Sequence, residues 1–133
     1  WVPKRIGEER AEAGAYVWRK LLEAGVVIAN GTDAPVEDVD PLANFYSSVT
    51  RRMSDGRQFY PGQVMTREEA LRTYTVNAAY AAFEEDIKGS LTPGKLADIT
   101  VLSRDIMSVP AEEIPGTEVV YTIVGGKVAY AKE

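Results

Sequence analysis

The chain has 133 residues, 45% hydrophobic and 26% charged, with a net charge of −5 and neither histidine nor cysteine. That suffices for one domain with a real core and is an ordinary globular composition. It excludes disulfides and thiol catalysis, argues against nucleic-acid or anionic-membrane partners for want of a basic stripe, and offers no apolar run near the roughly 20 residues that span a bilayer.

Trp1-Val2-Pro3-Lys4-Arg5 leads into a polar helix rather than an apolar signal segment, so no signal peptide is expected. A start at Trp reads as a cut from something longer. The missing cysteines do not identify a compartment, and a cytoplasmic location is the favoured expectation. Ala11, Ala15, Trp18, Leu21 and Leu22 recur at three- and four-residue steps, which predicts one helix from about Gly7 to Ala24. Glu8, Glu9 and Glu12 near its start, and Arg19 and Lys20 near its end, suit the helix dipole. Gly25 reads as its left-handed cap.

Val26-Val27-Ile28-Ala29-Asn30 follows at once as a continuous apolar run, the pattern of a strand covered on both faces of a parallel sheet. It runs into Gly31-Thr32-Asp33-Ala34-Pro35, a turn that would deliver one carboxylate from the strand's C-terminal end, where α/β sheets and barrels place their chemistry. Asp33 therefore stands where a metal-ligand or general-base aspartate would stand, without the usual companion ligands. The bland alternative is an aspartate capping a tight turn before Pro35. Asn30-Gly31-Thr32 matches a glycosylation sequon, read as accidental at a buried strand end. Glu37, Asp38 and Asp40 lack the spacing of a calcium loop and read as a solvated acidic loop.

Asp40 and Pro41 start a second helix as N-cap and first residue, with Leu42, Phe45, Tyr46, Val49 and Met53 as its apolar stripe and Arg51 and Arg52 suiting its C-terminal end. Thr66 and Glu69 form a capping box for a third helix, whose apolar side is Ala70, Leu71, Tyr74, Ala78 and Ala81 and which ends near Phe83. Beyond Ile87 the texture changes. Ala97, Ile99 and Val101 alternate with polar residues, as do Val119, Tyr121 and Ile123 with their neighbours, at the period of strands. Gly125-Gly126 supplies a hairpin turn to a return strand at Lys127 to Tyr130; it lacks the glycine spacing of a phosphate loop. Lys95 and Asp98 read as a surface turn, and Tyr74 and Tyr80 as packing aromatics. A boundary is expected at about Glu85 to Lys88. One parallel-type strand and three helices cannot bury that strand, so the missing strands are expected upstream or in another copy of the chain.

The motifs Gly31-Thr32-Asp33-Ala34-Pro35-Val36-Glu37, Asp40-Pro41-Leu42, Ser48-Val49-Thr50-Arg51, Met65-Thr66-Arg67-Glu68-Glu69-Ala70-Leu71, Tyr74-Thr75-Val76-Asn77-Ala78-Ala79, Lys88-Gly89-Ser90-Leu91, Pro93-Gly94-Lys95-Leu96-Ala97-Asp98 and Thr122-Ile123-Val124-Gly125-Gly126-Lys127-Val128 occur in this order. Together they resemble the C-terminal end of the amidohydrolase superfamily, specifically the YtcJ-like group, amidohydrolase family 3. The resemblance implies an α/β fold: residues 1–86 as the C-terminal part of a metal-dependent hydrolase (β/α)8 barrel, its last strand and helices, and residues 87–133 as part of a small antiparallel β-sandwich. It implies a parent enzyme that hydrolyses non-peptide amide or cyclic amide C–N bonds through a metal-activated water. Asp33 matches the aspartate that ends the eighth strand, as metal ligand and general base. The metal would be divalent, zinc by expectation, held mainly by histidines absent here, so this chain alone is expected to bind none and to be inactive. Asn77 would serve packing or a side-chain-to-backbone bond. Expected partners are a small-molecule amide substrate and the remainder of the barrel or another copy of the chain, giving a homo-oligomer, with no nucleic acid and no membrane. The rival class is a non-catalytic α+β interaction module.

Overall fold

The computed structural model describes residues 2–133; Trp1, where the N-terminal reading begins, lies outside the described residues. The single helix expected over Gly7 to Ala24 is three short ones: α1 (Val2–Ile6), α2 (Glu8–Gly14) and α3 (Trp18–Glu23). Gly7 at φ +85° separates the first pair, and Tyr16 at φ +56° lies between the second. The apolar stripe persists across both breaks because periodicity reports which side faces the core, not whether the backbone is continuous. Arg19 consequently lies near the start of α3, not near a helix end. Gly25, at φ +79°, does cap α3. Its N–H donates to the Leu22 carbonyl at 2.9 Å and the Val26 N–H to that of Leu21 at 3.0 Å, the paired bonds of a left-handed helix stop.

The expected strand at Val26 to Asn30 does not form. The segment has no ladder among the described residues, and Val26 and Val27 are 44% and 52% exposed. A strand exists only through its neighbours, and these are not in the described residues.

Next come α4 (Pro41–Thr50), a short 3₁₀ turn (Pro61–Gln63), α5 (Arg67–Tyr74) and α6 (Val76–Ala81). The Asp40 carboxylate accepts from the Leu42 and Ala43 N–H groups, both at 3.0 Å, as its N-cap reading requires. Met53, expected on the α4 stripe, lies beyond the helix and is exposed. The capping box at Thr66 and Glu69 is present, but the third helix breaks at Thr75, whose φ of −120° and ψ of −97° are not helical.

β1 (Ile99–Leu102), β2 (Val119–Val124) and β3 (Lys127–Ala131) form an antiparallel sheet in that order. Gly125 and Gly126, at φ +56° and +77°, make the hairpin turn between β2 and β3. The alternating burial expected of β1 fails at Val101, which is exposed together with its cross-strand partner Tyr121.

The core is Phe45, Met65 and Ala70 from the helical half with Ile106 and Ile114 from the loop and 3₁₀ turn (Ala111–Gly116) between β1 and β2. Trp18, Leu22, Ile28, Val49 and Tyr74 pack around it. Arg67 ties the α5 start to this loop, donating to the Ile106 and Val109 carbonyls at 2.7 and 2.6 Å.

Arg19 reaches across to α5 and grips Glu69 with two nitrogens at 2.8 and 2.6 Å, while also donating to the Val64 carbonyl. The guanidinium, first, and the Thr66 N–H hold the Glu69 carboxyl down at about 2, against an ordinary value of 4.5. A lowered carboxylate pKa stabilises the fold above the unfolded value and loses that contribution as pH falls through the folded one. Glu69→Gln is expected to destabilise by about 1–2 kcal/mol at neutral pH, allowing for solvent screening. Urea titrations should show the difference closing as pH drops from 4.5 towards about 2.

Candidate functional site

The site begins with a segment that has no secondary structure of its own and is held by three helices. The Asn77 amide on α6 donates to the Ile28 carbonyl at 3.0 Å. The Asn30 N–H donates to the Thr73 carbonyl of α5 at 3.1 Å. The Asn30 amide donates to the Ser48 hydroxyl of α4 at 3.2 Å, and its oxygen accepts from the Gly31 N–H at 2.9 Å. Asn44, also on α4, donates to the Gly31 carbonyl. Thr73 is fully buried, its hydroxyl turned back to the Ala70 carbonyl at 2.7 Å. These bonds replace the missing ladder. Asn77 thus makes the side-chain-to-backbone bond expected of it. Asn77→Ala is expected to cost about 1 kcal/mol, a fall in Tm of about 5 °C by circular dichroism.

Two residues past this anchored segment, Asp33 sits at φ +62°. Aspartate tolerates that region better than most residues. Its backbone carbonyl closes the turn, accepting from the Val36 and Glu37 N–H groups at 2.8 and 3.2 Å. Its carboxylate has no hydrogen bond or ion pair among the described residues, so it is not a side-chain turn cap. It is exposed and lines an open cleft of about 770 Å³ together with Asn30, Thr32, Glu37, Asp38 and Asn44.

No group of three or more His, Cys, Asp or Glu among the described residues could hold a metal ion. Of the three acidic neighbours on the same cleft, Glu37, Asp38 and Asp40, the last is committed to its helix N-terminus. A metal therefore does not fit the donors of the described residues alone: Glu37 and Asp38 line the same cleft as Asp33 but form no ligand group with it.

A smaller cavity of about 170 Å³ adjoins the cleft, sharing Trp18, Asn30, Asn44 and Ser47 with it. It also reaches Arg51, which is only 8% exposed. Burial pushes the Arg51 pKa below its ordinary value. The sequence marks Arg51 only as a charge suited to a helix end. The available signal was its position: an arginine, at φ +56°, fills the left-handed stop after α4 where glycine is usual.

The other candidates are structural. Lys95 donates to the Glu85 carbonyl at 2.5 Å, and Asp98 accepts from the Gly125 N–H at 2.7 Å, fixing the hairpin turn. Tyr74 packs on the core, whereas Tyr80 is 54% exposed and packs on little.

A family model described as the amidohydrolase family matches residues 1–130. The chain belongs to the amidohydrolase family. Among relatives of this amidohydrolase chain, YtcJ of Bacillus subtilis is 33% identical over 135 residues, covering 99% of this chain and 25% of its own length. The N-substituted formamide deformylase of Arthrobacter pascens is 31% identical over 126 residues, 95% of this chain and 23% of its own. An uncharacterized metal-dependent hydrolase from Pyrococcus furiosus superposes with a TM-score of 0.67 at 33% identity, over 81% of this chain and 21% of that one. An amidohydrolase from Thermotoga maritima gives 0.68 at 24% identity, over 88% and 26%, a likeness of fold. The chain spans about a quarter of the length of the curated relatives it matches. It is thus a mixed α/β piece of amidohydrolase structure carrying a three-stranded antiparallel sheet. No described helix of this amidohydrolase piece is long and apolar enough to cross a membrane.

Proposed function

We propose that this chain is the C-terminal piece of a metal-dependent amidohydrolase, with residues 1–86 completing its (β/α)8 barrel and 87–133 contributing to a small β-sandwich. The parent hydrolyses a C–N bond of a non-peptide or cyclic amide. The observation that carries the reading is Asp33, an uncommitted carboxylate opening on a cleft, beyond a backbone segment anchored by α4, α5 and α6. A relative that deformylates N-substituted formamides supports an N-substituted amide as substrate.

A divalent metal, zinc by expectation and held mainly by histidines outside this chain, would supply the Lewis acid. Asp33 would contribute one oxygen donor to it. It also accepts a proton from the attacking water and returns it to the departing nitrogen. Asn30, Asn44 and Asn77 fix the backbone from which it projects. The uncovered apolar residues Val26 and Val27 face the rest of the barrel. The 133-residue chain alone is inactive. Metal content and hydrolysis of an N-substituted formamide, measured for this chain and the longer protein side by side, test the reading. Both are expected only with the longer protein. A longer protein that neither holds metal nor turns over amides would hand the case to an interaction module.

A further inference from the structure

Arg51 combines three features that do not normally coexist. It retains 8% of its surface, it takes part in none of the ion pairs among the described residues, and its Nη2 is buried with no hydrogen-bond partner. The rest of the side chain is fixed. Nε donates to the Phe59 carbonyl at 2.9 Å, and the guanidinium carbon lies 5.2 Å from the centre of the Phe59 ring. The guanidinium is therefore held in place with one end of its donor fork unused. A buried, unpaired cation with an unmet donor is destabilising, and an anion that completed it would relieve that cost.

The space for that anion is present. Arg51 lines the cavity of about 170 Å³ with Asn30, Asn44, Ser47 and Ser48, whose amides and hydroxyls are neutral. A planar carboxylate matches the donor fork of a guanidinium. A phosphate, with more charge and more oxygens, would call for further cations, and the lining has only Arg51. The cavity also adjoins the Asp33 cleft through Trp18, Asn30, Asn44 and Ser47, so it is reached from the side where chemistry is proposed.

We infer that Arg51 is a carboxylate receptor set beside the Asp33 cleft, taking one carboxylate group into the cavity between α4 and the Ile28–Asn30 segment. The carboxylate comes either from a small molecule entering by the cleft or from an acidic side chain of the longer protein. Only the second source rests on the reading of this chain as a piece of a larger enzyme.

The test is a titration with propionate at fixed ionic strength. It uses a Trp1→Phe background, so that Trp18 on the cavity wall is the fluorescent reporter. Propionate is expected to shift the emission saturably, with propionamide and chloride giving no such response. Arg51→Gln should weaken the binding about tenfold or more, and Arg51→Lys, which keeps charge but not the fork, should fall between. Circular dichroism melts confirm that the variants fold; the propionate-against-propionamide comparison stands on the unsubstituted cavity regardless. Repeating the titration on the longer protein separates the sources. Retained binding there identifies a free carboxylate, and binding lost there identifies an internal side chain already in the cavity. No saturable response in this chain, an equal response to propionamide, or unweakened binding by folded Arg51→Gln would overturn the inference. None of these readouts uses turnover, so failure of the hydrolase reading would be seen separately.

Discussion

Asp33→Asn in the longer protein is expected to lower kcat on an N-substituted amide by about 10²–10⁴-fold, the usual contribution of a positioned proton acceptor. The substitution suits the question for a conformational reason. Asp33 occupies the left-handed region at φ +62°, and asparagine is as comfortable there as aspartate. The carboxylate makes no bond among the described residues that asparagine would break. Stability should therefore stay within about 0.5 kcal/mol of the parent, as for an exposed substitution away from special features. Loss of turnover with an unchanged melting curve would separate chemistry from folding. Turnover unchanged with metal still bound would remove Asp33 from the mechanism.

The largest expected effect on folding is at Gly89. Its φ is +90°, and a Cβ added there would stand 2.8 Å from the Ala79 Cβ, 3.1 Å from the Val76 Cα and 3.2 Å from the Thr75 carbonyl oxygen. Two of these are backbone atoms and the third is a methyl on a buried helical residue, so none can swing aside. Gly89→Ala should cost about 2–5 kcal/mol, adding the left-handed penalty to that of overpacking. Gly94 is the control. Its φ is +96°, but nothing lies within 4 Å of its added Cβ, so Gly94→Ala should cost only the conformational part, about 1–2 kcal/mol. Urea denaturation of both variants checks the contrast. Equal losses would mean that α6 yields to the added methyl.

What was legible in the sequence was what short-range hydrogen bonding decides. Asp40 before Pro41, Thr66 with Glu69, and Gly25 after Leu22 each satisfy backbone groups within about one helical turn, and Gly125-Gly126 supply the positive φ values of a local hairpin turn. What was not legible depends on distant chain. Val26 to Asn30 has the composition of a strand but not the neighbours of one. The break at Thr75 leaves the apolar pattern on either side intact, so periodicity alone runs straight through it. In the candidate site, the turn at Asp33 could be read from Gly31-Thr32-Asp33-Ala34-Pro35, though not from a strand, which does not form among the described residues. The amides that fix the run before that turn could not, since Asn77 and Ile28 lie 49 residues apart. The burial of Arg51 was hidden likewise, because it depends on the loop through Phe59 folding back over the end of α4.

The core has a consequence for the order in which the molecule can be made. Phe45, Met65 and Ala70 leave the ribosome well before Ile106 and Ile114, against which they pack. Trp18, Leu22 and Ile28, made earlier, cover part of this core, so what α4 and α5 still lack is the cover supplied by the loop beyond β1. Closure of this part of the core therefore follows the synthesis of Ile106 and Ile114.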